Sequence, residues 1–547
     1  MRSRVQVRKL KPLAVAAVVV AAALPAGAQG ATVSAFLPTN GHTGQAPVAL
    51  ALDDAGNIYT ANFYNGGAPG DITKIKTDGT GAQFGASIND VVGVAVDSAG
   101  NLYVPSFSQN NVSKITPDGA TNSSAPWPVG VGASPQSIAV GPGDNIYTSN
   151  TGDSTVSRIS PDGTVTPAFG QTGGGAGSIG FDIAGNLYVP NNGSNNVSRI
   201  TASGASTVNF ASAGAFPARV AVDSGANAYV VNLDSNDITK VSPDGSSVTP
   251  FATTPGRPAG ITIDSAGNLF VAMNSTGNVV KVSPSGTVSE LFAPGTIDGQ
   301  PLAITIDSSA NLYVTVTGNT GTHVDTVAKI VPNPSSPEIA PAPPKSPAPP
   351  TATAGEQSAS VSVPANPTSA RYGTPSSYAV AAVEDSSKGC TVTPPATSCT
   401  VTGLTAGTSY TFTARAKLNS WATAPSAASG AVTPTAPPPP PTPAPKISSV
   451  KSKITKKGAY ITSRVQVSGA GKISQRATTG SRKLTTRCRT SRTTTRAATY
   501  TLKCNLGSKG RRALRRSSLK LTLRTTFAPA TGSAATTDRK LTLKRKR

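Results

Sequence analysis

From residue 46 to residue 333 one arrangement of apolar and polar positions returns seven times. Each copy carries a Gly or Pro, alternates apolar residues, passes through a turn that reads Asp-x-x-Gly-Asn in four copies and keeps its Asn in all seven, and resumes with an apolar residue and an aromatic. PVALALDDAGNIYTAN, VVGVAVDSAGNLYVPS and PAGITIDSAGNLFVAM are three of them. Strict alternation predicts half-buried strands, and the Asp-Gly-Asn cluster predicts the turn between them. The anchoring asparagines Asn57, Asn101, Asn145, Asn186, Asn227, Asn268 and Asn311 lie 44, 44, 41, 41, 41 and 43 residues apart. That period suits a four-stranded propeller blade. Strands A and B flank the turn, a Val-x-Lys-Ile type strand C follows, and strand D comes after Pro-Asp-Gly, as in TVTPAF and SVTPFA. The seventh copy runs from Ile330 into proline without a strand D, whereas ATVSAF at 31–36 is a strand D without a copy. The N-terminal strand is therefore predicted to complete the seventh sheet and leave no open edge.

The cadence Gly-Ile-Ala-Val-Asp-x-x-Gly-Asn-Leu-Tyr-Val resembles NHL-repeat propellers and the related virginiamycin B lyase family. The resemblance implies a seven-bladed β-propeller over residues 29–333. Beyond it, residues 334–350 and 434–445 each hold eight prolines and read as stiff spacers. Residues 351–433, with SASVSV, SYAVAAV and the Gly403 to Tyr410 turn, resemble a fibronectin type III module of immunoglobulin-like topology, with Tyr410 as its tyrosine corner and Trp421 in the last loop. Residues 446–547 alternate again as a small basic β-domain. The expected fold class is all-β throughout.

Charge divides the chain. Residues 446–547 carry 28 Lys and Arg against one acid, Asp538, while residues 29–445 carry 15 against 24. A cationic segment of this kind points to an anionic polymer, and with few aromatics for stacking, nucleic acid is not the expected partner. Arg2, Arg4, Arg8, Lys9 and Lys11, an apolar run from Leu13 to Leu24 and Ala26-Gly27-Ala28 read as a signal peptide over 1–28. The mature chain then has no transmembrane segment and is expected outside the cell as a monomer, in contact with cell-wall polymer. Four cysteines in two close pairs, Cys390 with Cys399 and Cys488 with Cys504, predict two local disulfides in an oxidising compartment.

Enzyme motifs are sparse. The lyase resemblance implies a histidine and a glutamate beside a magnesium ion, but the repeats hold a single glutamate, Glu290, in strand D, and the chain has two histidines, His42 and His323. No cofactor is expected. His42 and His323, with Asp298 and Asp325, fall on loops of one predicted face and are the candidate catalytic groups. Subtracting the repeated strand B and strand D aromatics leaves Phe63, Tyr64, Phe107, Trp127 and Phe216 on loops of that same face, a candidate surface for a glycan or peptide. Asn62, Asn150, Asn191 and Asn232, three residues after the strand B aromatic, either bring amides toward the same mouth or cap turns of their own repeats. The recurrent Lys74, Lys114, Arg158, Arg199, Lys240, Lys281 and Lys329 are read as ladder residues pairing with the aspartates. The expected function is ligand binding or scaffolding at the cell envelope. A lyase or lactonase, or an accessory to extracellular polysaccharide degradation, are the alternatives.

Overall fold

In the computed structural model, described for residues 31–38, 45–64, 69–122, 126–318, 325–333, 338–438, 442–455, 458–479 and 485–544, the chain is almost wholly β. The predicted signal segment lies outside the described residues. Two compact units are present, residues 1–435 and 436–547. Among the described residues no helix is long and apolar enough to cross a membrane.

Residues 32–331 form seven antiparallel sheets, one per repeat. Gln45–Leu52, Ile58–Tyr64, Asp71–Ile75 and Gly81–Gln83 make up the first, as strands A to D. Neighbouring sheets touch through their inner strands: Ser178 N–H donates to Ala218 O at 3.0 Å, and Ser149 Oγ donates to Gly177 O at 2.6 Å. Thr32–Pro38 pairs with Thr326–Val331, so the N-terminal strand does supply strand D of the last sheet.

One set of interactions recurs in six of the seven sheets; the third repeat has Gly141 in place of the aspartate. The repeat aspartate accepts two backbone N–H groups and the asparagine amide of its own turn, as Asp53 does from Ala55, Asn57 N and Asn57 Nδ2 at 3.0, 2.8 and 2.7 Å. In the first, second, fifth and seventh repeats the Oδ2 that accepts the asparagine amide also takes the strand B tyrosine hydroxyl, from Tyr59, Tyr103, Tyr229 and Tyr313. Burial beside these carboxylates pushes all four phenols well above their ordinary pKa. The strand C cations do not pair with the aspartates as expected. Lys74 Nζ stands 5.3 Å from the Tyr59 ring centroid and 4.9 Å from that of Phe84, and Lys240 and Lys329 sit over their own aromatic pairs in the same way. With each aspartate already saturated by its turn, the electron-rich ring faces are what remains within reach.

The sixth repeat breaks the pattern and shows what the first proline-rich segment does. Phe270 replaces the tyrosine, and Asp264 Oδ2, which keeps the Asn268 amide but lacks a hydroxyl donor, accepts Ala340 N–H at 3.0 Å. Ser265 N donates to Pro341 O, Lys281 Nζ donates to Glu338 O, and Ile339 and Ala342 are buried in the apolar cluster of Phe270, Phe292 and Leu312. Composition predicts a stiff polyproline spacer, yet residues 338–342 lie against the repeats. Their two small apolar side chains gain burial there, and their carbonyls and amides find partners.

Residues 351–432 form a sandwich. Thr351–Gly355, Ser358–Ser362 and Ser398–Thr402 make one sheet, and Gly389–Val392, Ser377–Ala382, Phe412–Leu418 and Trp421–Ala422 the other. The Cys390–Cys399 disulfide joins the two sheets. The sandwich docks on the Asp-x-x-Gly-Asn ends of the repeats. Ser369 Oγ donates to Asp54 Oδ1 at 2.9 Å, Arg371 Nη1 to Val96 O at 2.9 Å and Asn419 Nδ2 to Ser265 Oγ at 2.8 Å. Trp421 packs against the apolar cluster of Val271 and Val280.

The second unit has a three-stranded and a four-stranded sheet around Ile461, Leu523 and Phe527, tied by the buried Cys488–Cys504 disulfide. Gly507–Arg516 is a helix where alternation predicted only strands; Leu514 is its buried anchor, and its Arg and Lys residues are good helix formers facing solvent. The single acid, Asp538, is held by Arg524 through two hydrogen bonds of 2.8 and 2.7 Å, which keep its carboxyl below the usual range.

Candidate functional site

The seven inner strands surround a central cavity of about 670 Å³. Strand A makes its wall. In most repeats it begins with proline and a β-bulge, as between Pro47 and Ala49, Pro217 and Arg219, and Pro258 and Gly260. A bulge re-aims the following side chain. The position aligned with Ala49 and Gly260 in the repeat is small in six repeats, namely Ala49, Gly93, Ser137, Ser178, Gly260 and Ala303. These small side chains leave the channel open.

Strand B ends and strand A beginnings meet at one mouth of this channel, opposite the ends on which the sandwich docks. Three of the five aromatics converge there: Phe63 lies within strand B of the first repeat, near its end, and not on a loop as expected, Phe107 follows strand B of the second, and Phe216 precedes strand A of the fifth. Phe107 and Phe216 are each 38% exposed, an unusual condition for a large ring that can otherwise bury itself. Their backbone is pinned: Phe107 N–H donates to Asp90 O, and Phe216 O accepts Leu233 N–H, both at 3.0 Å.

Trp127 is a correction. It is buried, packs on Tyr103 with centroids 5.3 Å apart and lies beneath Lys114 at 5.8 Å, thereby taking the strand D aromatic position of the second repeat. The asparagines are also corrected. Asn62, Asn150, Asn191 and Asn232 are buried, and each amide nitrogen is spent within its own sheet. Asn232 Nδ2, for instance, donates to Asp237 Oδ1 and Thr239 Oγ1 at 2.6 and 2.9 Å, and Asn150 Nδ2 donates to Thr155 Oγ1 and Ser157 Oγ, both at 2.9 Å. They lock strand B to strand C and have no free donor for a ligand.

His42 and His323 lie outside the described residues, as does the side chain of Tyr64. Asp298 is exposed. Asp325 Oδ1 accepts Gly318 N–H at 2.7 Å, and partial burial raises its carboxyl pKa. A second recess, of about 50 Å³ between Asp54, Lys345 and Tyr372, admits little beyond water.

The model of the virginiamycin B lyase family matches residues 38–324, which take in the channel lining and most of the seven sheets. The chain belongs to the virginiamycin B lyase family. Among solved structures, the selenomethionine-substituted virginiamycin B lyase from Staphylococcus aureus is 19% identical, covers 55% of this chain and 98% of its own, and has a TM-score of 0.46. XC5397 of Xanthomonas campestris, titled a gluconolactonase, is 16% identical over 55% of this chain and 90% of its own, with a TM-score of 0.37. No curated protein gives a significant sequence match.

Magnesium chemistry, which the virginiamycin B lyase family implies, needs oxygen donors at the channel mouth. Glu290 is exposed on the outer strand Val288–Glu290, away from the channel. Among the described residues the channel lining has no carboxylate, and no group of three His, Cys, Asp or Glu side chains is placed to hold a metal. The described donor set does not fit a divalent cation.

What the lining does contain is Arg219, which escaped the sequence reading. It stands at the position that is small in the other six repeats. The signal was present, because the comparison of repeats that isolated the aromatics isolates Arg219 when applied to strand A.

Proposed function

We propose that the protein is an exported ligand-binding member of the virginiamycin B lyase family, built as a seven-bladed propeller whose channel mouth takes a peptide or glycan. The observation that carries this reading is the open channel rimmed by Phe63, Phe107 and Phe216. Rings fixed at the rim of a preformed cavity recognise apolar groups at low entropic cost. Because the asparagine amide nitrogens are consumed within the sheets, a peptide with apolar side chains fits this lining better than a glycan, which needs many hydrogen-bonding groups. The sandwich, whose strand order and Thr405 N–H to Tyr410 hydroxyl bond support a fibronectin type III reading, braces the opposite face. The basic unit, with its single acid already paired, contacts anionic wall polymer. Two disulfides are compatible with the extracellular location this requires.

The test is a peptide and glycan array probed with the full chain and with Phe107→Ala and Phe216→Ala. Capture of apolar peptides, lost in both variants while the fold is kept, supports the reading; capture unaffected by both refutes it.

Family membership favours one other reading, a lyase or lactonase working at the same mouth, with Asp325, raised in pKa, and His323 two residues earlier as the acid and base. Turnover of virginiamycin B or of a sugar lactone, abolished by His323→Ala and by Asp325→Asn, would establish it.

A further inference from the structure

Arg219 is the only charged side chain among the described residues that line the channel. It projects from strand A of the fifth repeat, and its Nη2 donates to Val48 O of the first repeat at 3.2 Å. A guanidinium carries five N–H donors in a planar fork, so one carbonyl leaves most of them unused. No ion pair of Arg219 with a carboxylate occurs among the described residues. Burial alone, with no neighbouring anion to offset it, lowers its pKa from the ordinary arginine value.

Desolvating a cation without a counter-charge is costly, and six repeats avoid it with Ala, Gly or Ser. A cation kept there, facing an open cavity, has the chemistry of a ligand anchor. The surroundings indicate which anion. Ser137, Ser178, Gln136 and Asn192 offer further polar contacts, and the rest of the lining is apolar or glycine. A single positive charge neutralises a carboxylate, whereas a dianionic phosphate would bring an uncompensated charge into this lining.

We propose that Arg219 binds the carboxylate of an organic acid, from a peptide C-terminus or a fatty acid, whose apolar body rests on Phe63, Phe107 and Phe216. The proposal rests on the channel reading above and adds to it the charge and orientation of the ligand. The carboxylate enters first and meets the guanidinium fork; the apolar end remains at the mouth.

Two matched pairs test it by calorimetry on the full chain: N-acetyl-Phe-Phe as free acid and as C-terminal amide, and decanoate with decanamide. In at least one pair the acid binds more tightly by about tenfold, the contribution of one charge-assisted hydrogen-bonding contact, and the pair that does so identifies the source. In Arg219→Gln that preference falls to about twofold or less while the amide binds as before. Phe107→Ala weakens acid and amide alike. Equal binding of acids and amides by the native protein, or a preference that survives Arg219→Gln, overturns the anchor but leaves the channel reading standing. No binding by any of the four refutes both. Arg219→Ala, which restores the residue found at positions 49 and 303, melts no lower than the native protein; a clear drop would make Arg219 a strut between the first and fifth repeats and overturn the proposal.

Discussion

Phe36→Ala is the most informative single perturbation of the ring. Phe36 belongs to the N-terminal strand Thr32–Pro38 but does its packing in the last sheet, 5.5 Å from the Tyr313 ring and 4.9 Å from Lys329 Nζ, beside Leu52, Ile58 and Val327. Truncating a fully buried phenylalanine costs about 3–5 kcal/mol. Phe36 is half-buried, so roughly half of that applies, with about 1 kcal/mol more for the lost edge-to-face and cation contacts. The expected loss is about 2–4 kcal/mol, enough to lower the melting temperature of a unit this size by several degrees. Urea and thermal melts of the full chain, followed by tryptophan emission, report on it, because Trp127 and Trp421 both lie in the first unit. Val248→Ala is the control: Val248 is 55% exposed on strand D of the fifth sheet, and its loss should cost under about 0.5 kcal/mol. Deleting residues 31–38 should go further, stripping Thr326–Val331 of its ladder partner and exposing an edge prone to association. If both the deletion and Phe36→Ala melt with the native protein, the last sheet is not closed by this strand.

Trp127→Ala should destabilise the first unit by about 3–5 kcal/mol, visible in the same melts, without a specific effect on ligand capture; a folded variant that has lost only binding would return Trp127 to the mouth. Raising the pH above about 10 should erode the first unit: phenols raised in the folded state stay protonated while those of the unfolded chain ionise, so stability falls by up to about 1.4 kcal/mol per pH unit for each of the four tyrosines bonded to aspartate. Spectrophotometric titration checks this, and all tyrosines ionising near pH 10 in the folded protein would refute it. The full chain should bind teichoic-acid-type anionic polymer at low salt and release it between about 50 and 200 mM, because binding by cations expels counterions; binding that ignores salt, or that persists after residues 446–547 are removed, would exclude the basic unit as the contact.

The ring was legible because its determinants are local and repeated. Alternation, turn chemistry and a period near 41–44 residues each point to four-stranded sheets, and proline after Ile330 leaves a gap that only ATVSAF fills. Trp127 was misplaced because strand D of the second repeat is broken into Thr121–Asn122 and Val129–Gly130, so its aromatic arrives late and looks like a loop residue. The asparagines recur visibly, but whether an amide faces a ligand or a neighbouring strand is decided by the Thr, Ser or Asp opposite it on strand C, a matter of register. Composition marked residues 334–350 as proline-rich, yet it could not foretell that Ile339 and Ala342 would find an apolar cluster or that Phe270 would free Asp264 to receive the segment. Arg219 carries its signal only in comparison with the six small residues at its position, and its lack of a counter-charge is a property of the assembled channel.

A crystal structure of the full chain with N-acetyl-Phe-Phe bears most directly on the central claim that the channel is a binding site. The account predicts the peptide inside the channel, its carboxylate on the Arg219 guanidinium and a ring against Phe107 or Phe216. Peptide bound elsewhere on the repeats, with the channel holding water alone, would contradict it.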